Sequence, residues 1–203
     1  MKKSAIVVAL LLTVLVVLSA CGGESANKPG GGSLPELPQP RSTEGDYSLD
    51  ASGITSANLL DYLNRSDTVY IDLRNYEDYA LKHFKNFEVI PYFALVFDEA
   101  AGTPDKPQLF GGSLDAPVAT YTSSQSILES MFPKDKTIML MCQSGGRVEK
   151  MMKLLESLGY DMSKVYNVGG VAQYTGSEYQ SYITDTEEVL INVEYSVNAT
   201  PAA

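Results

Sequence analysis

Between residues 137 and 158 an apolar strand, a tight turn and an amphipathic helix follow one another without interruption. The segment Thr137 to Met141 (TIMLM) predicts a buried central strand. A turn at Gly145 and Gly146 follows, and residues 147–158 then predict a helix with one apolar face. Because a strand joined directly to a helix is the repeating unit of parallel sheets, this segment predicts an α/β domain.

The same alternation of strands and helices continues along the chain. The pattern predicts strands at 68–72, 89–90, 137–141 and 164–168 and helices at 57–64, 75–84 and 147–158. Consecutive β–α–β units place their strands parallel, so we expect an open, mainly parallel sheet with helices on both faces. Alternating apolar residues from Glu188 to Val197 predict a further half-buried strand.

Composition excludes several classes of function. The chain has 203 residues and a formal net charge of −10, which disfavours binding to nucleic acid because that requires a basic surface. His83 is the single histidine, so zinc sites built from several histidines are excluded and we expect no metal. A hydrophobic share of 44% is too high for a wholly disordered chain.

The first 20 residues have the pattern of a targeting segment. Lys2 and Lys3 give a positive start, residues 5–18 form an almost unbroken apolar run, and small residues then precede Cys21. The segment resembles a bacterial lipoprotein signal, which implies cleavage before Cys21 and attachment of lipid such as palmitate to its sulfur. The alternatives are a non-lipidated secretion signal or an N-terminal anchor helix.

The rest of the chain divides into a linker and one domain. Residues 21–46 are rich in Gly, Pro and Ser and predict a flexible tether. The folded domain is predicted at 47–198, with an inserted segment at about 98–123 that contains several Pro and Gly residues. If Cys21 is acylated, Cys142 is the only thiol of the mature chain, and an internal disulfide is excluded despite export.

The candidate chemistry lies where the central strand ends. Cys142 is followed by Gln143, Ser144, Gly145, Gly146 and Arg147, a loop that we call the Cys142 loop (residues 142–147). Ligand sites of α/β sheets lie at the carboxyl ends of strands, and backbone N–H groups beside a helix N-terminus bind anions. We therefore expect Cys142 to be a nucleophilic thiolate, with Arg147 suited to an anionic substrate. The alternative is that Cys142 is a small buried hydrophobic residue.

Three motifs of this chain resemble those of the rhodanese family of sulfurtransferases, and they follow one another along the chain in the same order as in that family. One is Cys142-x4-Arg147 between a strand and a helix. Another is Asp72-Leu73-Arg74 before an acidic and aromatic helix, and the last is a closing strand that ends at Gly169-Gly170. The match covers about residues 52–98 and 124–176. It implies the rhodanese fold, without a cofactor.

The resemblance also implies a mechanism and a cellular location. Cys142 would take a sulfur atom from a small anionic donor such as thiosulfate and pass it to cyanide or a thiol. Backbone amides of residues 143–147 would bind the donor and stabilise the persulfide, while Asp72 and Arg74 would shape the site without acting as acid or base. Lipid on Cys21 would hold the enzyme at the extracytoplasmic face of the cell membrane.

Two other functions remain open at this point. A catalytically silent domain could carry sulfur or bind a partner protein on the same fold. A phosphatase or arsenate reductase is less favoured, because related phosphatases place five residues between Cys and Arg, and only four separate Cys142 from Arg147.

Overall fold

The computed structural model describes residues 34–103, 105–186, 193–196 and 198–202. The strands are β1 (Thr68–Asp72), β2 (Lys82–Phe84), β3 (Glu88–Val89), β4 (Phe110–Gly112), β5 (Pro117–Ala119), β6 (Thr137–Cys142), β7 (Val165–Gly170) and β8 (Ile183–Asp185). The α-helices are α1 (Tyr76–Leu81), α2 (Ser124–Met131) and α3 (Gly146–Ser157). Short 3-10 helices lie at Leu59–Tyr62, Met162–Lys164, Val171–Gln173 and Ser177–Tyr179, and a π-helical turn lies at Tyr92–Val96.

Four strands form a parallel central sheet in the order β3–β1–β6–β7. Strand β6 is flanked by β1 and β7, so both of its edges are paired within the sheet. Two small antiparallel pairs, β2 with β8 and β4 with β5, lie outside it. This arrangement confirms the predicted α/β class with a mainly parallel sheet.

Alternation along β6 sends its side chains into two separate cores. Ile138, Leu140 and Cys142 belong to the core that contains the apolar residues of α2 and α3. Met139 and Met141 belong to the other core, which is rich in phenylalanine and tyrosine. Since successive residues of a strand face opposite sides, Cys142 necessarily lies on the α3 side of the sheet.

A buried ion pair occupies the carboxyl end of β1. Asp72 and Arg74 are 0% and 2% exposed, and their closest oxygen and nitrogen atoms are 2.7 Å apart. Arg74 also donates to the backbone carbonyls of Lys82, at 2.6 Å, and of Asp78, at 3.3 Å. The pair therefore links the end of β1 to α1 and to the start of β2. Because both side chains are buried, each charge is neutralised by the other rather than by water.

Two predicted helices are shorter than the sequence pattern indicates. The helix predicted at 75–84 ends at Leu81, because residues 82–84 pair with β8 instead. The segment 57–64 forms only one 3-10 turn, although Leu59 and Leu63 are buried as their helical spacing suggests. In the first case pairing with a distant strand overrides local helix propensity.

The inserted segment 98–123 contains ordered strands rather than an irregular loop. Its strands β4 and β5 form a hairpin anchored by the buried side chains of Leu109 and Phe110. Strands of three residues that contain glycine and proline show no alternating pattern, so the sequence alone could not indicate them.

Residues 35–46 lie on the domain, whereas the sequence predicts a flexible tether up to residue 46. The side chain of Arg41 donates to the backbone carbonyl of Val165 at 3.2 Å, and Tyr166 donates its hydroxyl to the carbonyl of Pro38 at 2.8 Å. The folded part therefore begins before Tyr47. Proline and glycine content did not reveal these contacts, because they depend on residues more than a hundred positions away.

Other predictions fall largely outside the described residues. They include the segment 1–20, Cys21 and most of the strand predicted at 188–197. Within the described part of the chain, no helix combines the length and apolar character needed to cross a membrane.

The Arg74→Ala variant should lose about 3–5 kcal/mol of the free energy of unfolding, because Asp72 would stay buried without a counter-charge. Asp185→Ala is the matched control: it removes an exposed ion pair with Lys82 and should cost less than about 1 kcal/mol. Urea unfolding of both variants measures the difference. Equal small losses would show that the buried pair is not a structural requirement.

Candidate active site

The Cys142 loop joins the carboxyl end of β6 to the first turn of α3. Gly145 adopts a φ of 105°, in the region that favours glycine, and this reverses the chain so that α3 can begin at Gly146. The structure therefore brings together all the residues predicted to bind the substrate, from Gln143 to Arg147, next to Cys142.

The sulfur of Cys142 receives a hydrogen bond from within this loop. The backbone N–H of Gly145 donates to Sγ, with a nitrogen–sulfur distance of 3.1 Å. The first turn of α3 follows directly, and it adds the positive end of its helix dipole on the same side of the loop. The loop therefore places one backbone donor and one helix N-terminus next to Sγ.

Exposure differs sharply around the loop. Cys142 is only 1% exposed, whereas Gln143, Ser144 and Gly146 are exposed and Arg147 is half-buried. The thiol, the free cysteine of the described chain, therefore lies beneath its own loop rather than on the surface. A reagent must approach through the loop, so small reactants are favoured over bulky ones.

Arg147 points back to the end of the neighbouring strand. Its Nη1 donates to the carbonyl of Leu73 at 3.4 Å, and its guanidinium carbon lies 5.7 Å from the centre of the Phe93 ring. Leu73 is the residue between Asp72 and Arg74. The buried ion pair therefore fixes the backbone group that Arg147 contacts, which places Asp72 and Arg74 behind the site rather than within it.

The end of β7 sets the curvature of the loop. A bulge shifts the register, so that Leu140 pairs with Asn167 but Cys142 pairs with Gly170. A Cβ atom on Gly170 would lie 2.1 Å from the carbonyl carbon of Gln143. This contact leaves room only for glycine at position 170.

Two polar side chains hold this turn. The Oδ1 of Asn167 accepts from the N–H of Gly169 at 2.8 Å, and its Nδ2 donates to the carbonyl of Tyr47 at 2.9 Å. The Oε1 of Gln173 accepts from the N–H of Gly170 at 2.8 Å. The sequence analysis did not predict that Asn167 and Gln173 support the site. The Gly169-Gly170 turn between them was the one sequence feature that could have pointed to these two residues.

His83 lies in β2 and not in the Cys142 loop. Its ring stacks on Tyr79 with centroids 4.0 Å apart, and its Nδ1 is 2.7 Å from the Tyr79 carbonyl. These contacts account for the histidine without a catalytic role. Among the described residues, no cluster of three or more His, Cys, Asp or Glu side chains could hold a metal ion.

A small groove of about 290 Å³ lies beside the start of α3. It is lined by Tyr92, Phe93, Phe97, Asp98, Glu99, Leu114 and Lys150. Burial raises the pKa of Tyr92 well above its ordinary value, so its hydroxyl stays neutral. Lys106 donates to Asp98 at 2.7 Å, which lowers the pKa of that carboxyl. The groove thus joins the inserted segment to the helix that carries Arg147.

Comparison with known proteins identifies the family. Residues 55–177, more than half of the chain, match the Rhodanese-like domain family, and the chain belongs to this family. The match confirms the resemblance seen in the sequence motifs. No curated protein matches the chain.

Several solved structures are similar to this chain, among them the following three. A rhodanese with anions from E. coli is 17% identical to this chain. The match spans 58% of this chain and 98% of the E. coli chain, with a TM-score of 0.34. A Staphylococcus saprophyticus protein is 20% identical over 60% and 90% of the two chains, with a TM-score of 0.37. A rhodanese-like domain protein from Staphylococcus aureus is 25% identical over 61% and 91%, with a TM-score of 0.38. Family membership rests on the sequence match and not on these scores.

Substitution of Gly170 by alanine should displace the Cys142 loop, because the new Cβ would overlap backbone atoms of residues 143 and 144. We expect a loss of about 1–3 kcal/mol in unfolding free energy, as for other overpacked sites, and an altered alkylation rate of Cys142.

Gly146→Ala is the control for this substitution. A Cβ atom there meets nothing within 4 Å, and the backbone N–H is retained. Its stability and alkylation rate should stay close to those of the unmodified protein. If Gly170→Ala behaved in the same way, the close approach of β7 would not be what shapes the loop.

Proposed function

We propose that the protein is a sulfurtransferase with one rhodanese domain, which moves sulfane sulfur through a persulfide on Cys142. Family membership supports a domain that transfers or carries sulfur. The observation that carries the more specific proposal is the N–H of Gly145, which donates to the Cys142 sulfur at 3.1 Å. An N–H that donates to Sγ can stabilise the attacking sulfur, and the remaining amides of the loop are then available to the outer sulfur of the persulfide.

The donor in this proposal is a small anion such as thiosulfate. The Cys142 thiolate attacks the outer sulfur of thiosulfate, a new S–S bond forms, and the S–S bond of the donor breaks. Sulfite leaves with the bonding electron pair, so the charge of the thiolate passes to the outer sulfur of the persulfide. Arg147 and the amides of Gln143, Ser144, Gly145 and Gly146 bind the anion and offset this charge.

The acceptor completes the cycle. Cyanide or a thiolate attacks the outer sulfur, the persulfide S–S bond breaks, and the Cys142 thiolate is restored. With cyanide the product is thiocyanate. Cys142 is 1% exposed, and this burial favours acceptors whose reactive atom can enter through the loop.

The test is thiocyanate formation from thiosulfate and cyanide by the purified mature protein. Cys142→Ser should abolish it, since an alcohol at this position cannot hold the transferred sulfur. Ser130→Ala, an exposed position on α2, is the control and should keep full activity. Thiocyanate formation by Cys142→Ser at the unmodified rate would remove Cys142 from the mechanism.

Intact mass spectrometry, together with the turnover assay, distinguishes a sulfurtransferase from a sulfur carrier. After thiosulfate treatment the unmodified protein should gain the mass of one sulfur atom, and Cys142→Ser should gain none. A gain without turnover to any acceptor would favour the sulfur-carrier function instead. Hydrolysis of a phosphate ester would favour a phosphatase.

We further propose that lipid on Cys21 anchors the domain at the extracytoplasmic face of the cell membrane. The support is the signal-like pattern of residues 1–20, which ends at this cysteine. Cys21→Ala should move the protein out of the membrane fraction and prevent labelling by radioactive palmitate in cells. Unchanged labelling or unchanged fractionation would contradict a lipid anchor at Cys21.

A further inference from the structure

Phe93 is a large aromatic residue at the surface beside the Cys142 loop. It lies in the π-helical turn Tyr92–Val96, and its side chain is 47% exposed. A single exposed apolar side chain needs no explanation by itself. This one is unusual because of the charges that lie over it.

Two cations of α3 share the Phe93 ring. The guanidinium carbon of Arg147 and the Nζ of Lys150 lie 5.7 Å and 5.6 Å from the ring centre. Both distances are within the range of cation–π attraction. Within the described part of the chain, neither cation forms a salt bridge.

Like charges one helical turn apart repel each other. Arg147 and Lys150 nevertheless both lie over the Phe93 ring. Of the two carboxylates in the adjoining groove, Asp98 is paired with Lys106, and Glu99 forms no salt bridge with either cation among the described residues. A ligand with two negative charges would relieve this repulsion. The pair lies in the first two turns of α3, where the helix dipole also favours an anion.

The inserted segment holds Phe93 in place. Gln108 is 5% exposed, and its Nε2 donates to the backbone carbonyl of Phe93 at 2.7 Å. The buried ring of Tyr92 packs edge-on against Phe93 with centroids 5.1 Å apart. Both contacts restrain the turn that presents the Phe93 ring to α3.

We propose that Phe93 is a positioning residue for the donor site: its ring holds Arg147 and Lys150 together so that they bind a doubly charged sulfur oxyanion. The inference rests on the proposed function, because it takes the anion of Arg147 to be the sulfur donor. It adds Lys150 to the donor-binding residues and gives the inserted segment a role in donor recognition through Gln108.

The test is the steady-state turnover of thiosulfate and cyanide by the mature protein. Phe93→Leu should raise the KM for thiosulfate by about threefold to tenfold, the factor expected for loss of cation–π attraction. Its kcat and its KM for cyanide should change little, and Phe93→Tyr, which keeps a ring, should restore the KM for thiosulfate. Val118→Ala, an exposed position on the inserted hairpin, is the control.

A double-mutant cycle shows whether Phe93 acts through the two cations. In a protein that already carries Arg147→Gln and Lys150→Gln, Phe93→Leu should have no further effect on the KM for thiosulfate. An undiminished effect in that background would overturn the proposal, and so would an equal rise in the KM for cyanide. An unchanged KM in the single Phe93→Leu variant would overturn it as well.

Failure of the proposed function gives a different result. If the unmodified protein transfers no sulfur, calorimetry measures thiosulfate binding to two proteins instead. One carries Cys142→Ser alone, and the other carries Cys142→Ser together with Phe93→Leu. Weaker binding with Leu would support the positioning role even without catalysis. Equal binding, or none in either protein, would overturn it.

Discussion

A charge pair from which water is excluded supports the edge of the sheet where the candidate site lies. Asp72 and Arg74 form an ion pair at the end of β1, and Arg74 also donates to the backbone carbonyls of Asp78, within α1, and of Lys82, at the start of β2. Leu73, held between them, offers its carbonyl to Arg147. The position of the Arg147 side chain thus depends on a pair that does not itself belong to the Cys142 loop.

On the other side of β6, geometry rather than charge shapes the loop. Gly170 approaches the backbone of Gln143 so closely that no side chain fits, and the bulge in β7 places it opposite Cys142. The loop is therefore restrained from both neighbouring strands. Such restraint is what a site needs if its amides are to be in place before an anion arrives.

Much of this arrangement could be predicted from the sequence. The run TIMLM, the two glycines and the apolar face of 147–158 are local signals, and β6 and α3 appear within one residue of their predicted bounds. Because the Cys142 loop connects this strand to this helix, its residues could also be predicted from the sequence. The docking of residues 35–46 and the contact of Phe93 with α3 depend on partners distant in sequence, and no local pattern encodes them. The hairpin in 98–123 is local, but its three-residue strands contain glycine and proline and show no alternation.

The depth of the Cys142 sulfur has a consequence for its chemical durability. Oxidising surroundings expose free cysteines to exchange with the disulfides of other proteins, and this exchange requires an in-line approach of two bulky sulfur centres. A sulfur that is 1% exposed beneath its own backbone is shielded from such encounters. The Cys142 thiol is thus protected from the mixed disulfides that a cysteine on the surface would form.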